Sequence, residues 1–227
     1  MPRPYRTARS FVSLLCSTRE RGPQHTEVLS HLDSNDSRMQ QVFYANGKVW
    51  GALDTAVTVG GANKAGIAYF VVKPDLSTGT LAGSMAKQGY LALAGNNLTY
   101  PSIAVLPNGR GVMSFTVVGA DNFPSVGYAS MDALVGAGDV HVAIAGEGTA
   151  DGFTSYKSFV GNPPRTRWGD YGAAVVDGRS IWWPRSTSTR AARSPSIAAP
   201  FGACESAATA RRSALGNWAT GIVQLMP

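Results

Sequence analysis

Three short dipeptides govern what this chain can fold into: Asn46-Gly47, Asn108-Gly109 and Asp177-Gly178, each followed by a basic residue, Lys48, Arg110 or Arg179. Asn-Gly and Asp-Gly tolerate positive φ at both centres of a type I′ turn, and between strand-forming runs they are the strongest short-range hairpin signal. Such runs flank all three. Residues 41–44 and 49–53 bracket the first turn, 102–106 and 112–117 the second, 173–176 and 181–183 the third. A third strand follows in every copy (67–72, 126–130, 220–225), and a fourth in the first two (89–93, 140–144). A strand-like run at 27–32 precedes the first copy and is the candidate fourth strand for the last.

The turn glycines stand 62 and then 69 residues apart. Four short strands per period, with tight turns and no helical periodicity, is the pattern of a propeller blade. A sandwich has no reason to repeat one hairpin chemistry at near-equal spacing. The sequence therefore predicts an all-β chain, a partial β-propeller of about three four-stranded blades at about 38–94, 100–146 and 168–226 within residues 23–227. Propellers use roughly four to eight blades, so three do not close. The readings left open are a homodimer completing a six-bladed ring, a piece of a longer chain, and a truncated or frame-disturbed product. Residues 1–22 and 184–212 fall outside the pattern. The first is expected to be an irregular, disordered N-terminal segment. The second, rich in Arg, Ser and Ala, is expected to be an irregular insertion.

Composition narrows the function classes. With 26 Gly, 13 Pro and 15% charged residues, this is the balance of a turn-rich β protein. The net charge of +6 invites a nucleic-acid reading, but ten of the twenty basic residues lie in the two irregular segments. The remainder carries ten basic against twelve acidic residues, not the cationic face that tracks phosphates, so no nucleic-acid partner is expected. No apolar run approaches the roughly 18 residues of a membrane span. The apolar stretch at 11–16 is shorter than a secretory h-region and lacks a clean cleavage site, so it makes no convincing signal peptide. Cys16 and Cys204 both lie in irregular segments, and their pairing is left open. His25, His31 and His141 fall in no ligand spacing, so neither a metal nor a cofactor is expected.

The phrases at 36–42, 100–105, 124–128, 167–171 and 217–220 resemble those of the sialidase-like (BNR-type) six-bladed propellers of secreted bacterial proteins. The most specific is Arg167-Trp168-Gly169-Asp170-Tyr171, whose aromatic and charged residues lead into an innermost strand. The phrases come in the order expected for the C-terminal half of such a propeller. The resemblance implies an extracellular or periplasmic protein. The Ser-x-Asp-x-Gly-x-x-Trp turn that marks true sialidase blades is absent.

Ligands of propellers sit on the axis, contacted by loops entering the innermost strands. Three entries supply the candidate ligand-binding residues Asp36, Arg38, Tyr100, Arg167, Trp168, Asp170 and Tyr171. Arg38 and Arg167 have the guanidinium fork that clamps a carboxylate. Asp36 and Asp170 suit sugar hydroxyls or acid–base chemistry, and Tyr100, Trp168 and Tyr171 suit stacking on a sugar ring. The structural reading of the same residues is the stronger one: Arg and Asp at strand entries commonly pair with each other, and aromatics there pack between sheets. Sialidases resembling this fold need an arginine cluster, a Tyr activated by Glu, and an Asp. Of Glu20, Glu27, Glu147 and Glu205, none stands at a blade entry beside a Tyr, so no catalytic residue is nominated. The expectation is a non-catalytic propeller fragment that binds a glycan or protein or acts as a scaffold. The alternative is a fragment of a sialidase-like glycoside hydrolase.

Overall fold

The computed structural model describes residues 13–14, 31–34, 36–148, 165–166, 168–169, 171–188 and 218–226. They form strands and loops, with no helix among the described residues. In chain order the strands are β1 (Ser13–Leu14), β2 (His31–Asp33), β3 (Val42–Ala45), β4 (Lys48–Val59), β5 (Ala62–Asp75), β6 (Ala82–Leu91), β7 (Asn96–Val105) and β8 (Arg110–Gly119). There follow β9 (Ser125–Asp132), β10 (Gly136–Ala137), β11 (His141–Ile144), β12 (Arg165–Thr166), β13 (Val175–Asp177), β14 (Ser180–Ser188) and β15 (Trp218–Leu225). Three antiparallel sheets hold most of them. The first is the meander β3-β4-β5-β6, the second β7-β8-β9 with β10 and β11 both paired to β9, and the third β13-β14-β15. A small fourth sheet joins β2 to β1 and, in parallel, to β12.

Each turn dipeptide links the first and second strands of its own sheet, but the three turns differ. Asn46 and Gly47 both have positive φ, +52° and +65°, as a type I′ turn requires. The second loop is longer. Leu106 N–H donates to Arg110 O and Gly109 N–H to Leu106 O, which leaves three residues at the tip with Gly109 alone at positive φ. In the third, Asp177 is still paired, with Ser180, so the two-residue turn is Gly178-Arg179, and Gly178 is its positive-φ member. The expectation of two positive φ angles in every turn is thus corrected for the last two. A further two-residue turn, Gly60-Gly61, joins β4 and β5 and lets them run well past the strands predicted there.

Counted from the last paired residue before each turn, the sheets use their faces in a fixed order. Phe43 and Trp50 of the first sheet turn toward the second, burying Trp50 completely with Val71, Ile103, Met113 and Phe115. The equivalent residues of the second sheet, Ala104 and Val112, turn toward the third, where they meet Ile181 and Trp183. The opposite faces behave the same way. Val105 looks back at the first sheet, and Val176 and Ile181 look back at the second. One apolar layer therefore separates each sheet from the next, and the second sheet is covered on both sides. The first strands also meet: the Gln41 side-chain amide donates to Ala174 O at 2.8 Å and accepts from Ala174 N–H at 3.1 Å.

Two sequence expectations change here. β14 continues through Pro184 to Ser188, into the stretch expected to be irregular. Its alternation explains why, since Ile181, Trp183, Arg185 and Thr187 are buried while Trp182, Pro184 and Ser186 are not. The run at 27–32 was the candidate fourth strand for the last sheet. Its described part instead belongs to β2 and pairs with β1 and β12, and β15 pairs with β14 alone among the described strands. Residues 27–30, like most of 1–22, all of 189–212 and both cysteines, lie outside the described residues.

Candidate functional site

The site begins at an irregularity in β7. Between Thr99 and Ser102 the β7–β8 register slips, and Tyr100 leaves the ladder with φ +59°, a left-handed conformation uncommon outside glycine. Pro101 follows it and has no N–H to return to the ladder. The freed Tyr100 N–H is buried and needs an acceptor. Asp54 of β4 supplies it, with Oδ1 at 2.9 Å and Oδ2 at 3.2 Å. The Tyr100 hydroxyl donates to Asp33 O, and the ring packs with Leu32, Ala65, Val118 and Trp168, with the Gly169 backbone lying against it. Tyr100 and Trp168 are thus both buried in one apolar cluster.

Asp54 is itself buried, and burial pushes its carboxyl well above the usual carboxylate range. The Tyr100 N–H and the positive charge of Arg185 pull the other way, and the negative charge of Asp36 adds a smaller upward push. Arg185 projects from β14 into the layer between the second and third sheets. Its Nη2 donates to Ser102 Oγ at 2.8 Å, Ser114 O at 2.9 Å and Ser114 Oγ at 3.2 Å, while Nε finds no acceptor among the described residues. A Cβ at Gly172 would run into Nη1, so any other residue there would require the guanidinium to shift. Burial pushes Arg185 down to about 10, opposed by Asp54.

Above this buried pair the exposed residues gather. Arg38 Nε donates to both oxygens of Asp36, at 2.8 and 2.7 Å, and Arg38 N–H donates to Oδ1 at 2.9 Å. The side-chain hydrogen bond from Arg38 is the main cause that lowers the Asp36 carboxyl, with the Arg38 backbone bond next. Arg38 is raised in turn, mainly by Asp36, and the Tyr171 hydroxyl adds to the effect from nearby. Tyr171 is 85% exposed. It forms the rim of a cavity of about 290 Å³, with Pro184, Ser186 and Thr220 among its other walls.

The segments leading into β3 and β13 therefore bring together Asp36, Arg38 and Tyr171 at the surface, with Asp54 and Arg185 buried nearby. Tyr100 and Trp168 support them from the interior, so Tyr171 is the candidate aromatic whose ring faces solvent. Arg167 and Asp170 lie outside the described residues. Asp54 and Arg185 were not singled out from the sequence, yet a signal was there. Each is a charge on the buried parity of its strand, Asp54 after Trp50 and Ala52, Arg185 after Ile181 and Trp183. No group of three or more His, Cys, Asp or Glu that could hold a metal ion occurs among the described residues. No helix there is long and apolar enough to cross a membrane. Comparison of the chain with family models, with curated proteins and with solved structures found no match.

Proposed function

We propose that the chain is half of a six-bladed, sialidase-like propeller, exported from the cell, that acts without catalysis as a glycan- or protein-binding or scaffold module. The fixed face order of its three sheets supports the propeller half of this reading, because radial packing of successive blades needs such an order. The observation that carries the functional half is how two chemical requirements are divided. A general acid needs a carboxyl with a raised pKa that also reaches the substrate. Asp36 is reachable but held ionised by Arg38, whereas Asp54 has the raised pKa but is buried against the Tyr100 N–H. Binding makes no such demand. An exposed Tyr171 ring beside an exposed Asp36–Arg38 pair offers a stacking face and hydrogen bonds to hydroxyls, the mixture that recognises a sugar.

The raised Asp54 carboxyl near Asp36 favours one second reading, a fragment of a glycoside hydrolase. Titration of immobilised acidic and neutral glycans, alongside incubation with a fluorogenic sialoside, separates the two. The module reading expects glycan binding at least tenfold weaker in Arg38→Ala and Tyr171→Ala, with no turnover. Turnover that disappears in Asp54→Asn overturns it in favour of the hydrolase.

A further inference from the structure

Among the described residues, the first and third sheets each keep one apolar face without a neighbouring sheet. On the first sheet Val42 and Tyr44 of β3 and Tyr90 of β6 point away from the second sheet, and they are 56%, 68% and 68% exposed. On the third sheet Val175 of β13 and Ile222 of β15 point away from the second sheet, 53% and 69% exposed, with Trp182 between them half-buried. Several exposed large apolar side chains on one sheet face are the signature of an interaction surface.

The register identifies what fits there. Val175 and Trp182 occupy the positions of Phe43 and Trp50, the pair that the first sheet turns toward its successor. Tyr44 and Val49 occupy the positions of Val176 and Ile181, the pair that the third sheet turns toward its predecessor. The chain joins a forward face to a backward face twice within itself. What remains is one unmatched forward face, on the third sheet, and one unmatched backward face, on the first. These are complementary to each other and not self-complementary, so the matching surface is carried by a second copy of the chain. The contact is head-to-tail. Two copies give six sheets, within the roughly four to eight that close a propeller, whereas three copies give nine.

We infer that two copies associate head-to-tail, the third-sheet face around Val175 and Trp182 of each seating on the first-sheet face around Val42 and Tyr44 of the other. This rests on the propeller part of the proposed function and is independent of the glycan part. Sedimentation of the purified full chain tests it. The expected mass is twice 23.8 kDa, with Tyr44→Glu and Val175→Glu each weakening self-association at least tenfold while near-UV dichroism is kept. Both side chains are exposed, so folding tolerates the changes. Both substitutions must weaken self-association, because a head-to-tail contact uses both faces. A symmetric face-to-itself contact uses one face and ignores a substitution on the other, so a dimer weakened by only one of them overturns the inference. A monomer at all concentrations, an open polymer, or a dimer indifferent to both substitutions overturns the inference. Glycan binding by a monomer leaves the module reading standing while removing the ring.

Discussion

Replacing Asp54 with Asn isolates the one buried carboxylate among the described residues of the site. Asn keeps an amide oxygen to accept the Tyr100 N–H now held at 2.9 Å and removes only the ionisation. The folded-state pKa of Asp54 is raised above the ordinary carboxylate value, chiefly by burial. A raised carboxyl means that the folded chain holds its proton more tightly than the unfolded one. The resulting stability is fully present below the unfolded pKa and is lost as pH rises through the folded pKa. Across that window one proton separates the two states, so wild type loses ground to Asp54→Asn by up to about tenfold in the folding equilibrium per pH unit, roughly 1.4 kcal/mol. Above the folded pKa the difference levels off. Urea unfolding of both proteins, followed by tryptophan fluorescence from about pH 4 to about pH 8, measures this difference while groups common to both cancel. A pH-independent difference refutes the argument. So does a wild type that gains on the variant as pH rises, which would mean that Arg185 and the Tyr100 N–H together outweigh burial.

Trp50→Ala removes a side chain that is fully buried between the first two sheets and whose Nε1 donates to Ala45 O at 3.1 Å. The expected loss is about 3–5 kcal/mol, read from denaturant midpoints at unchanged m-value, and a loss below about 1 kcal/mol would contradict the packing described. Gly47→Ala places a methyl group in open space at φ +65°, so its cost is backbone strain alone, about 1–2 kcal/mol. Gly111→Ala, whose methyl would press on Val105 and the Ala104 carbonyl, should cost more by the same denaturant midpoints, and the reverse order would count against the two geometries.

What could be read from the chain was local. The dipeptides at 46–47, 108–109 and 177–178 name their own hairpins because turn chemistry lies in adjacent residues, and the alternating runs beside them name the strands. The Gly60-Gly61 turn carries an equally local signal. It joins the ends of β4 and β5 that lie beyond the strands expected at 49–53 and 67–72. The site was less legible. Asp36 and Arg38 lie two residues apart, and their pairing follows from that proximity. Asp54 acquires its role only because Tyr100, 46 residues away, is lifted out of its ladder and presents a buried N–H. Arg185 acquires its role only because Ser102 and Ser114 of another sheet face it. Long-range partners of this kind leave no spacing in the sequence, only the anomaly of a charge on a buried parity.

The unequal hairpin tips have a bearing on how such a chain tolerates change. Side chains alternate with a period of two, so a residue inserted within a strand sends everything beyond it to the wrong side. The tip between β7 and β8 holds one residue more than those at Asn46-Gly47 and Gly178-Arg179, yet Val112 still points the way Trp50 does. The surplus is absorbed where Gly109 turns, outside the paired region. The extra residue of this loop is therefore confined to its apex, and the apolar layer beneath keeps the same order of faces as in the other two hairpins.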